Sequence, residues 1–200
     1  MIEEPFGRII EQHGTVVLDG GLATELERRG ADLRDPLWSA KVLVEDPDAI
    51  RSVHAAYFEA GADVAISASY QATFEGLAGR GIDRNQAVAL MRRSVELARE
   101  AAGSGRVVAA SVGPYGAMLG NGAEYTGDYD KDEDQLVEFH VPRIEALAEA
   151  EPDVLAVEIP AGNGIGEARA VAAAYSAAVT GELGLSEETL DALVRPAKPP

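Results

Sequence analysis

The sequence predicts an α/β fold built on a parallel sheet, on three observations. Short apolar runs with the look of strands recur at residues 16–19, 64–66, 107–112 and 154–158. Between them apolar residues fall at helical spacing, as Ile50, Val53, Tyr57 and Phe58 do. Strand and helix alternate along the chain, the order that gives parallel strands joined by right-handed crossovers.

Each element follows from its local sequence. The run Val16-Val17-Leu18 stops at Asp19, and Gly20-Gly21 then give way to helix formers. This reads as a buried strand ending in a carboxylate, a turn without Cβ atoms and a helix start. Asp46 and Pro47 supply an N-cap and a proline at the first helical position of a helix that Gly61 ends. Residues 64–66 form the second strand and lead into a polar turn at 67–71. The next helix begins near Asp83, lines one face with Ala87, Leu90, Met91, Ser94, Leu97, Ala98 and Ala101, and closes at Gly103. Residues 107–112 are the third strand, followed by a long Gly- and Tyr-rich loop at 113–129. Leu136, Phe139, Ile144 and Leu147 mark a further helix, which Pro142 kinks or divides. The fourth strand is 154–158, an amphipathic helix covers 167–178, a short one 186–194, and R-P-A-K-P-P ends the chain as a disordered tail.

Composition narrows the classes of function. The 17 basic and 34 acidic residues of the 200 give a net charge of −17, a field that repels phosphate backbones and anionic membranes. No apolar run approaches the roughly 18–20 residues of a membrane span, and the start M-I-E-E-P has neither the basic nor the apolar region of a signal peptide. A cytoplasmic small-molecule enzyme, without nucleic-acid or membrane partners, is the expectation. The cysteine count is zero, so this chain offers no disulfide, thiol nucleophile or thiolate metal ligand.

In parallel α/β folds, ligands sit at the carboxyl ends of the strands. Those ends here carry Asp19, the Ser67-Ala68-Ser69-Tyr70-Gln71 turn, Ser111-Val112-Gly113-Pro114 and Glu158. Two acids with hydroxyl and amide groups on one rim suit a small zwitterion, the acids taking the ammonium and the N–H groups of Gly20 and Gly21 the carboxylate. Trp38, in D-P-L-W-S-A, is a candidate pocket wall. His13, His54 and His140 have no ligand-like spacing, and His54, on an amphipathic helix, reads as structural. Glu96, Arg99 and Glu100 read as a solvated helix face. G-N-G-I-G at 162–166 looks like a phosphate loop but has no accompanying Walker lysine.

Taken together, D-G-G-L-A-T-E-L-E, D-P-L-W-S-A, V-H-A-A-Y-F-E-A-G-A-D, S-Y-Q-A-T, A-S-V-G-P-Y-G-A and L-A-V-E resemble the homocysteine S-methyltransferase family, in particular its bacterial S-methylmethionine-dependent type. The likeness runs from about Thr15 to Ala173. It implies a (β/α)8 (TIM) barrel. Because a closed barrel needs eight units and about 250 residues, the expectation for this chain is a partial barrel of about four to five βα units. It places a homocysteine-binding half-barrel at residues 1–178 and a tail with a short helix at 179–200. The resemblance also implies transfer of a methyl group from a sulfonium-type donor such as S-methylmethionine to homocysteine, giving methionine. By the same resemblance Asp19 and Glu158 meet the homocysteine amino group, Gly20 and Gly21 its carboxylate, and Trp38, Ser39, Ser69, Tyr70 and Gln71 line the pocket.

The family's zinc, held by three cysteines, has no such ligands here, so the expectation is that the chain binds no metal of its own. Glu158-Ile159-Pro160-Ala161 also replaces the family's usual E-T-I-P. A thiol with a pKa near about 8.5 is mostly protonated at neutral pH, and zinc is what makes the thiolate available. Weak or absent activity of this chain alone follows. Two other readings stay open: a non-catalytic half-barrel that needs a partner chain or a second copy of itself, and a metal-independent enzyme that uses Asp19 and Glu158 as an acid–base pair.

Overall fold

The computed structural model describes residues 5–35, 37, 39–127 and 130–157, with the backbone alone at residue 39. Three parallel strands, β1 (Val64–Ile66), β2 (Val107–Val112) and β3 (Val154–Val157), lie in the order β1-β2-β3. Val64 pairs with Val107, and Ala109 with Val154. The helices are α1 (Gly7–His13), α2 (Leu22–Arg28), α3 (Ser39–Glu45), α4 (Pro47–Glu59), α5 (Phe74–Ala78), α6 (Arg84–Ala102), α7 (Tyr115–Leu119), α8 (Ala123–Thr126) and α9 (Glu133–Ala148). The chain is therefore mixed α/β around a parallel sheet.

The helix starts obey the sequence. The Asp46 side chain accepts from the Ala49 N–H ahead of Pro47. Asp83 and Gln86, and again Asp132 and Gln135, form reciprocal capping boxes that fix the starts of α6 and α9. Pro142 lies inside α9, which runs unbroken from Glu133 to Ala148, so the expected division does not occur.

The period-two alternation of the strands gives each sheet face its own core. Ala65, Val108, Ala110 and Val112 pack outward beneath Phe58, Met91, Val95 and Ile144 of the surrounding helices. Val64, Val107 and Ala109 turn the other way and meet Ile9 of α1, with Ile66, Val154 and Ala156 beside them. At roughly 1.5–3 kcal/mol for each large buried side chain, these two layers dominate what holds the sheet.

Three expectations are corrected. The run 16–19 is not a buried strand: it makes one bridge, Leu18 to Val64, and leaves Val17 46% and Leu18 56% exposed. The backbone there is held instead by Asp63, whose carboxylate accepts from Val17 N at 2.8 Å. The supposed loop after β2 contains α7 and α8. Arg99 is not merely solvated: it donates to the Asp153 carboxylate at 2.8 Å, and that carboxylate accepts from Val108 N, tying α6 to the junction of β2 and β3. Glu158, the helices expected at 167–178 and 186–194, the tail, and Trp38 lie outside the described residues.

Candidate functional site

A cavity of about 970 Å³ opens at the carboxyl end of the sheet. Ile66 and Ser111 at the strand ends line it, together with Asp19, Gly20, Gly21, Tyr70 and Gln71. The segment that carries α7 and α8 adds Leu119, Glu124 and Tyr125 to its wall. The volume is at the upper end of the range for small-molecule sites.

Asp19 is its most constrained polar group. Its N–H donates to Val64 O and its Oδ2 accepts from Ile66 N at 3.0 Å, so the carboxylate is bound to β1 from both ends. The side chain is 2% exposed, and Oδ1 has no hydrogen-bond partner among the described residues. Behind it, His54 Nδ1 lies 3.6 Å from Oδ2, with the imidazole wholly buried and neither nitrogen hydrogen-bonded. A buried acceptor without a donor costs stability, and such groups concentrate where a ligand completes the pairing.

Gly20 is required by its neighbour: a Cβ there would stand 2.8 Å from the Tyr57 ring. The Tyr57 hydroxyl donates to Gly21 O at 3.3 Å. Burial first, then the charges of Glu25 and Asp19, hold the phenol above its ordinary pKa of 10, so it remains a donor.

The β1 and β2 ends are stapled together by serines. Ser67 Oγ and Ser69 Oγ are 2.7 Å apart; Ser69 donates to Ser111 O, and Ser111 N donates to Ser67 Oγ. Ser69 is thus locked in the sheet and absent from the cavity wall, whereas Tyr70 and Gln71 are on it. Gln71 Nε2 donates to Ala117 O of α7 at 3.0 Å, leaving Oε1 without a donor.

Beneath this rim sits Arg143 of α9, fully buried and without an ion pair among the described residues. Its guanidinium donates to Tyr70 O (3.2 Å), Ala72 O (3.1 Å) and Gly113 O (3.0 Å). Burial lowers its pKa to about 10, which leaves it charged at neutral pH. A cation that lies over the Phe139 ring and donates to carbonyls of two different loops acts as a clamp between the β1 and β2 ends.

The geometry thus brings Asp19, Gly20, Gly21, Tyr70 and Gln71 to one cavity; Trp38, the Ser39 side chain and Glu158 lie outside what is described. Sequence reasoning missed Glu124, whose Oε2 is buried in the cavity wall without a partner among the described residues, and the clamp made by Arg143. The chain has no cysteine, and among the described residues no three His, Asp or Glu side chains converge. Nor is any helix among them long and apolar enough to cross a membrane.

Residues 16–192 match the model of the family described as homocysteine S-methyltransferase, a match that continues past residue 173, where the sequence likeness had been expected to end. The chain is 50% identical over 166 residues to homocysteine S-methyltransferase YbgG of Bacillus subtilis, covering 77% of this chain and 53% of that protein. It is 51% identical over 164 residues to the Escherichia coli homocysteine S-methyltransferase, again covering 77% and 53%. Among solved structures, the metallated form of the E. coli homocysteine methyltransferase MmuM superposes with a TM-score of 0.79 at 48% identity, over 87% of this chain and 63% of that one. The chain spans about half the length of the curated relatives it matches. With a family match over most of its residues and a fold shared with a solved homocysteine methyltransferase, this chain belongs to the homocysteine S-methyltransferase family.

Proposed function

We propose that the cavity binds homocysteine, and that the reaction it serves is methyl transfer to the homocysteine sulfur from a sulfonium-type donor such as S-methylmethionine. The observation that carries this is Asp19: a buried carboxylate, fixed by Ile66 N–H, whose second oxygen has no donor of its own and lies beside two glycines. The α-ammonium of an amino acid supplies that donor, and the N–H groups of Gly20 and Gly21 take its carboxylate. In the transfer the thiolate sulfur attacks the methyl carbon. The C–S bond of the donor breaks with its electron pair going to the sulfonium sulfur, so that methionine and a neutral thioether leave.

Within this reading the chain forms part of a (β/α)8 barrel, with a homocysteine-binding half at residues 1–178 and a tail at 179–200. Glu158, next after β3, is a second carboxylate for the ammonium, and Trp38, Ser39, Ser69, Tyr70 and Gln71 complete or support the pocket. The chain contributes binding and not thiol activation, since it has no thiolate to hold zinc.

The test is calorimetric titration of the purified chain with homocysteine or methionine. Asp19→Asn keeps an acceptor for Ile66 N–H but removes the charge and puts an NH2 donor where Oδ1 stood. Charge-assisted hydrogen bonds are worth roughly 1.5–3 kcal/mol, so affinity is expected to fall about tenfold or more. No binding by the wild type at millimolar ligand, or equal binding by the variant, rejects the proposal.

A further inference from the structure

We infer that Glu124 and Gln71 form a second, cation-recognising subsite in the same cavity, which takes the positively charged centre of the methyl donor; the inference rests on the two-substrate reading above. Three acceptor oxygens on the cavity's lining residues are buried and without donors among the described residues: Asp19 Oδ1, Gln71 Oε1 and Glu124 Oε2. Two belong to carboxylates, and a zwitterionic amino acid brings a single ammonium. If Asp19 takes that ammonium, the half-buried Glu124, whose Oε2 has no donor among the described residues, is left without a counter-charge, and a second cation would supply one. The cavity has room for one: about 970 Å³ exceeds what a single small amino acid fills.

The placement is rigid rather than accidental. Gln71 is oriented by its amide donating to Ala117 O of α7, so its carbonyl oxygen is the end left over. Glu124 rides on α8, whose backbone is pressed against α7: a Cβ on Gly116 would come within 2.4 Å of Glu124 N. Asn121 accepts from Ala123 N and anchors the start of α8. Asp19, by contrast, is fixed to β1. The two carboxylates are therefore carried by separate parts of the fold. Around Glu124 the wall offers acceptor oxygens and the ring of Tyr125, groups that attract positive charge without requiring an N–H in return. That chemistry suits an onium centre such as a sulfonium.

Trimethylsulfonium, which has no amino-acid part, tests the subsite apart from the homocysteine reading. Binding to the full chain is followed by titration, with methionine measured in parallel. The expected pattern is a double dissociation. Glu124→Gln weakens trimethylsulfonium at least tenfold and leaves methionine within about twofold; Asp19→Asn does the reverse. Gly116→Ala, which must push α8 away from α7, is expected to lose trimethylsulfonium while keeping methionine. If wild type does not bind trimethylsulfonium, or binds it no better than Glu124→Gln does, the subsite is refuted whatever methionine does. Loss of methionine binding alone, with trimethylsulfonium intact, refutes the homocysteine pocket and leaves this subsite standing.

Discussion

His54 places its Nδ1 3.6 Å from Asp19 Oδ2, joining α4 to the polar end of the 16–19 segment. The imidazole is completely buried, and neither ring nitrogen has a hydrogen-bond partner among the described residues. A group that is unsatisfied in the core is a cost to folding, and this one stands directly behind a carboxylate of the cavity wall.

The consequence is a trade-off. His54→Leu fills a similar volume without polar nitrogens, and is expected to stabilise the chain by roughly 1–3 kcal/mol, the desolvation cost of an unsatisfied polar group. It also removes the polar neighbour of Asp19 and is expected to weaken homocysteine binding severalfold. Thermal melting and titration of one preparation check both signs. Unchanged affinity with a higher melting temperature would reduce His54 to a core residue.

The Arg143 clamp makes a second prediction. Arg143→Met is nearly as long but leaves the carbonyls of Tyr70, Ala72 and Gly113 without their donor. A loss on the order of 3 kcal/mol is expected, in line with breaking a buried charge-assisted network. Gly113→Ala attacks the same joint sterically, since its Cβ would lie 2.2 Å from Tyr70 O. Backbone on backbone cannot yield cheaply, so a cost of about 2 kcal/mol or more is expected. Hydrogen exchange should show both variants deprotecting residues 70–72 ahead of α6; uniform deprotection would mean that the clamp has no local role.

Much of this was legible in the sequence wherever a single residue fixes local geometry. Asp46-Pro47 and Asp83 with Gln86 announce α4 and α6 because capping is decided within four residues. Asp19-Gly20-Gly21 pointed to one wall of the candidate cavity because an acid and a glycine turn are contiguous. What was hidden depends on distant partners. The ladder of residues 16–19 ends after one bridge because the preceding backbone is tied to the Asp63 side chain. The helix α1 buries only Ile9, and α7 and α8 are short turns among glycines, stabilised by contact with each other and by the amide of Gln71. His54, Glu124 and Arg143 look like ordinary helix residues until the fold brings them to the rim. Their chemistry is tertiary.

Acid stability is governed in part by His140. Burial, followed by the charge of Arg143, lowers its pKa from 6.5 to about 3. Between those values the unfolded chain holds a proton that the folded chain refuses. The stabilisation is therefore complete above pH 6.5 and declines as pH falls toward about 3. One such group sets a limiting slope of about 1.4 kcal/mol per pH unit. Denaturant titrations at pH 7, 6, 5 and 4 should show this decline, and His140→Phe should flatten it. An unaltered slope in the variant would assign the acid sensitivity to other groups.

The last prediction concerns self-association. Val17 and Leu18 are 46% and 56% exposed, on the side of β1 away from β2. Val17 O and Asp19 N make the bonds to Val64, which turns the N–H and C=O of Leu18 to the opposite side. An apolar strip that also presents backbone donors and acceptors is a template for pairing with another strand. The net charge of −17 disfavours indiscriminate aggregation but does not satisfy those groups. A two-fold dimer through this edge is the expected solution, because one surface then covers its own copy. Sedimentation velocity at micromolar concentration should show a dimer, and Leu18→Lys should shift it to monomer by burying a charge at the contact. A compact wild-type monomer, or a dimer indifferent to Leu18→Lys, would show that this edge is not the contact.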